Sequence, residues 1–90
     1  MTATEVFTVR DQLRLNQTQL AQLLGVHPLT VSKWERGLLE PSAHQETLLR
    51  SFRKAAEKPD LGEQVATALV AMGVAYALLL LLEAAFGKRK

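Results

Sequence analysis

The chain has 90 residues and a formal charge of +2, which bounds it to one small domain, or to a domain with an appendage. It lacks cysteine, which excludes disulfide frameworks and thiolate metal sites, and His27 and His44 stand without the second histidine or carboxylate partner that a zinc site or catalytic dyad needs. No enzymatic role, metal or cofactor is therefore expected, and with eight Lys/Arg against six Asp/Glu over residues 1–58 any basic surface must be local.

Residues 2 to 14 read as the first helix. Thr2 and Glu5 form a capping-box pair, and Val6, Val9, Arg10 and Leu13 recur at helical spacing. Arg10 is a charge on an otherwise apolar stripe and so calls for a partner, because an unpaired buried charge is costly. The next helix opens at Asn16, with Gln19 three residues on as its reciprocal cap, and carries Leu20, Ala21, Leu23 and Leu24. Gly25 stops it where a positive φ costs little. A third helix restarts at once, with His27 in the cap position and Pro28 in the first turn, where its missing N–H does no harm. Val31 and Trp34 point inward, and Gly37 ends the element. Ala21 must be small because the following helix crosses over it. Two short helices joined by a tight glycine turn, the second with a free outer face, form a helix-turn-helix, a DNA-reading arrangement.

The run LNQTQLAQLLGVHPLTVSKWERG, with Arg10 before it and Pro41-Ser42 after it, resembles the Cro/C1-type (XRE family) helix-turn-helix proteins, among them the repressors of lambdoid phages. The likeness spans about residues 4 to 56 and leaves out the last thirty. It implies a lambda-repressor-like domain in which Arg10 pairs with Glu35. It also implies that Pro28, Leu29, Thr30 and Lys33 face the bases, Lys33 towards guanine and Leu29 or Pro28 towards a thymine methyl. Gln17, Arg36 and, less strongly, His27 are the phosphate candidates. Leu38, Leu39 and Glu40 depart from the family pattern, which often has a basic residue there, and suggest a loop packed against something.

Ser42 with Gln45 caps a fourth helix that runs to about Glu57, with Leu48, Leu49 and Phe52 inward. After the break at Lys58-Pro59-Asp60, Asp60 and Glu63 read as another capping box. From Val65 to Leu82 the chain then runs eighteen residues without a charge. Read as one helix, this segment meets the minimum length for a membrane span, and it has no polar stripe. Ala71, Gly73, Ala75 and Ala77 permit close helix approach, and Leu78 and Leu81 add bulk. Lys88, Arg89 and Lys90 would lie on the wrong side of a membrane for a protein whose other domain reads DNA. An oligomerising helix is therefore favoured over a membrane anchor, and a helix folded back on its own domain is the remaining alternative.

The expected architecture is all-α with five helices: a helix-turn-helix domain over residues 1–58 and a long apolar oligomerisation helix with a basic tail over 59–90. The expected function is a sequence-specific transcriptional regulator, a repressor binding a palindromic operator as a homodimer, cytoplasmic and nucleoid-associated. Its partners would be double-stranded DNA and itself, with no small-molecule ligand. Two other readings stay open: a helix-turn-helix protein tethered to the inner membrane by residues 65–86, and the antitoxin of a toxin–antitoxin pair.

Overall fold

A computed structural model describes residues 1–87 and consists, among those residues, of helices joined by turns. In chain order they are α1 (Ala3–Gln12), α2 (Gln17–Leu24), α3 (Pro28–Glu35), α4 (Ala43–Ala55), α5 (Leu61–Ala71) and α6 (Val74–Phe86). The starts of α1, α2 and α4 are set by reciprocal capping boxes. In each, the cap side chain of Thr2, Asn16 or Ser42 accepts from the backbone N–H three residues on, while Glu5, Gln19 or Gln45 reaches back to the cap's own N–H. Such caps satisfy donors that a helix start otherwise leaves bare, and each contributes about 1 kcal/mol.

One core unites all six helices. Val6, Val9, Leu13, Leu20, Ala21, Val31, Trp34, Leu49 and Phe52 are buried in it, and so are Leu61, Val65, Ala68, Ala77, Leu81 and Ala85. The segment beyond residue 58 therefore completes the domain's interior. Removing it would strip α4 and α2 of the helix that covers them, since α6 packs on both.

The C-terminal segment differs from expectation in four ways. It is two helices, giving six in the described chain. The break falls at Met72 and Gly73, where Gly73 adopts φ 99° and ψ 175°, a conformation that residues with a Cβ rarely take. The turn folds α6 back on α5, so each helix buries one stripe: Leu61, Val65 and Ala68 on α5, and Ala77, Leu81 and Ala85, spaced by four, on α6. Secondly, Ala77 and Leu81 are wholly buried within their own chain and cannot meet another subunit. Thirdly, α5 and α6 have 11 and 13 residues, and no helix among the described residues is long and apolar enough to cross a membrane. The single span over 65–86 does not exist. Fourthly, Asp60 does not cap: it sits at φ 61°, in the left-handed region, and its carboxylate makes no bond to the first turn of α5.

Elsewhere, Leu38 and Leu39 are exposed, so among the described residues the loop after α3 is not packed into the core. The basic tail Lys88-Arg89-Lys90 lies outside the described residues.

Gly62 fixes where α5 begins. A Cβ built there would stand 1.9 Å from the carbonyl oxygen of Leu13, which closes α1. The first turn of α5 thus lies directly on the end of α1, a contact only glycine permits.

Candidate nucleic-acid interface

The pair α2–α3 is positioned by its turn. Gly25 takes φ 68° and ψ 31°, and the next N–H, that of Val26, donates to the Ala21 carbonyl at 3.0 Å. This closes α2 with the left-handed cap that glycine makes inexpensive. His27 then caps α3, its Nδ1 accepting from the Leu29 N–H at 3.0 Å, and Pro28 fills the first turn. Ala21, Val31 and Trp34 are buried where the two helices cross.

That register decides what α3 shows to the outside. With Val31 and Trp34 turned inward, Leu29, Lys33 and Arg36 are exposed, and Pro28 and Thr30 are partly so. Leu29 keeps 50% of its surface. The outer face thus offers an apolar contact at its start, a single flexible cation in the middle and a guanidinium at its end. Arg36 is held by its own helix, its Nε donating to the Ser32 hydroxyl at 3.2 Å and less well to the Ser32 carbonyl. That bond points the rest of the guanidinium outward. Because His27 accepts on Nδ1, its neutral form carries the proton on Nε2, which faces away from the cap as a free donor.

Beneath α3 lies a charged cluster that ties it to α1 and α2. Arg10 binds Glu35 with both arms of its fork, Nε to Oε2 at 2.6 Å and one terminal nitrogen to Oε1 at 2.8 Å. The other terminal nitrogen donates to the Leu15 carbonyl at 3.0 Å. The Phe7 ring covers the guanidinium with its centroid 5.2 Å away, a cation–π contact. Glu35 keeps only 8% of its side-chain surface and Arg10 17%, so the pair is largely desolvated. Burial by itself raises the Glu35 carboxyl, but hydrogen bonds from Arg10 and Gln17, with the charge of Arg10, outweigh it and leave the group below the ordinary carboxylate value. The Arg10 guanidinium is raised in turn, first by its bonds to Glu35.

Gln17 has a structural role that the expected one did not include. Its amide nitrogen donates one N–H to Glu35 Oε1 at 3.2 Å, which ties the side chain to the cluster and leaves the second N–H of the amide for another acceptor. The start of α2 also offers backbone N–H outward. Gln17 and the Leu15 carbonyl are the members of this cluster that spacing alone does not reveal. Gln17 approaches Glu35 through the packing of α2 against α3, whereas the Leu15 carbonyl reaches Arg10 through the turn that ends α1, where the Leu15 N–H donates back to the Arg10 carbonyl at 3.1 Å.

Among the described residues no group of histidines and acids could hold a metal ion. The comparisons with known proteins fit this geometry. Residues 8–50 match the sequence model of the helix-turn-helix family, a stretch that begins in α1, contains all of α2 and α3 and ends within α4. No curated protein and no solved structure matches the chain.

Proposed function

We propose that this chain, whose residues 8–50 match the helix-turn-helix family model, is a Cro/C1-type DNA-binding transcription regulator, a repressor which occupies a palindromic operator as a homodimer. The observation that carries this reading is the outer face of α3. Leu29, Lys33 and Arg36 are exposed there, while the opposite face is locked to the domain by Val31, Trp34 and the Arg10–Glu35 fork.

In this reading α3 lies in the major groove, with Pro28, Leu29, Thr30 and Lys33 turned to base edges. Lys33 donates to guanine O6 or N7, and Leu29 rests on a thymine methyl. The N-terminus of α2, His27 Nε2 and the free end of Arg36 hold phosphates on either side, which fixes the register of α3 without reading sequence. Repression follows from occupancy: a dimer across an operator beside a promoter, in the cytoplasm where the chromosome lies, excludes polymerase.

Lys33→Ala is expected to weaken operator binding by about 1–3 kcal/mol and to relax base preference at one position of each half-site. Arg36→Ala is expected to weaken all sequences alike and to reduce the salt dependence of binding. Affinity measured against a panel of single-base operator variants separates the two. A Lys33→Ala protein with unchanged preference at every position would remove Lys33 from base reading.

A further inference from the structure

We propose that the groove between α5 and α6 is a binding site for a soluble amphiphile of single positive charge, a primary ammonium on an alkyl chain. None of its lining residues belongs to α3, and the site goes beyond the DNA reading without resting on it.

The groove exists because α6 folds back on α5. Residues 60, 63, 64, 67, 68 and 71 recur at helical spacing along one side of α5, and Tyr76 and Leu80 of α6 form the opposite wall. Met72 closes the end at the turn, and the whole encloses about 580 Å³, the size of a small-molecule site. Its two ends are unlike. At the start of α5 stand Asp60 and Glu63, with the Gln64 amide beside them, while Thr67 leads to an apolar end of Ala68, Ala71, Tyr76 and Leu80. Ala71 lies eight residues after Glu63, roughly 12 Å along the helix and the span of about ten single bonds. The sequence gives no sign of a small-molecule ligand, because these residues meet only once the hairpin forms.

Charge selects the occupant. The lining carries two carboxylates and no cation. Arg14 and Lys58 share a smaller recess of about 220 Å³ with Asp60 and Glu63, yet among the described residues neither carboxylate forms a salt bridge. Asp60 makes no cap bond to α5 either. An ammonium between the two carboxylates gains charge-assisted hydrogen bonds. The start of α5 opposes a cation with about half a positive charge, which two full negative charges outweigh. An anionic head is repelled at this end, and a neutral one leaves both carboxylates without a counter-charge. The tail supplies the driving force, since Ala71, Met72 and Tyr76 are exposed and an alkyl chain along them removes apolar surface from water. A second hairpin fits less well: Leu61 to Gly87 contains no lysine or arginine, so it brings no partner for Asp60 and Glu63.

The test is calorimetric titration of the full chain with decylammonium, decanoate and decyl maltoside, each below its micelle concentration. Decylammonium is expected to saturate one site, at least about tenfold more tightly than either control. Asp60→Asn with Glu63→Gln is expected to bring it down to the level of decyl maltoside. Ala71→Trp, at an exposed position of the groove, is expected to abolish binding of both. Glu40→Gln, an exposed carboxylate in the loop after α3, is expected to change nothing, and all four proteins should share one helical circular dichroism spectrum. No saturable binding of decylammonium, decanoate bound as tightly, or full binding by the Asp60→Asn, Glu63→Gln protein or by Ala71→Trp would each overturn the inference. So would a sedimentation mass of two chains that Ala71→Trp reduces to one, because a second copy would then hold the groove. DNA takes no part in the titration, so its outcome and that of operator binding are read separately.

Discussion

Arg10→Ala or Glu35→Ala is expected to cost the domain about 3 kcal/mol, a large share of the stability of so small a protein. Either change leaves the other charge enclosed by α1, α2 and α3 without its partner, and Arg10→Ala also leaves the Leu15 carbonyl without its donor. Replacing both by apolar residues of similar size, Arg10→Met with Glu35→Leu, is expected to cost much less than the sum of the single changes, because no uncompensated charge remains. Chemical denaturation of the four proteins measures the coupling, and a value near zero would show two independent, solvated residues. The pair also has an acid signature. The Glu35 carboxyl lies below its unfolded value, so its stabilisation is fully present above the unfolded pKa, about 4.3, and is lost as pH falls through the depressed folded value. Glu35→Gln should remove that part of the acid loss, leaving the part due to other depressed carboxylates such as Glu5.

Gly62→Ala is expected to be comparably damaging, at about 3 kcal/mol, the upper end of the usual overpacking range. A methyl 1.9 Å from a backbone oxygen cannot be absorbed by a rotamer change, so either α5 or the end of α1 must move. Moving α5 disturbs Leu61 and Val65 in the core and the hairpin built on them. Thermal unfolding checks the size of the effect. A Gly62→Ala protein as stable as the parent would mean that α5 does not sit on the end of α1.

The parts of the molecule that were legible in the sequence are those whose causes are local. The capping boxes at Thr2, Asn16 and Ser42, the glycine at 25 and the proline at 28 each act within a few residues, and α1 to α4 begin and end close to where those signals lie. The outer face of α3 follows from the positions of Val31 and Trp34 by helical register alone. What escaped depends on distant neighbours or on a single backbone angle. Asp60 has the residue type of a cap, but its positive φ turns the carboxylate away. Gly73 sits in an unbroken apolar run, where a continuous helix and a turn look alike until α4 and α2 supply a surface for α6 to fold onto. Lacking that surface, the run's missing polar stripe suggested burial all round. In fact one face joins the core and the other stays bare. Gly62 and Gln17 gain their roles only from the approach of α1 and of Glu35, which no spacing in the chain encodes.

The claim that α3 reads DNA sequence is tested most directly by footprinting the full chain on DNA from upstream of its own reading frame, with random duplex as competitor at a fixed salt concentration. The account predicts protection of two inverted half-sites centred about 10 bp apart, one helical turn, resisting about a thousandfold excess of random competitor. Equal affinity for random duplex, with no protected palindrome, would contradict it.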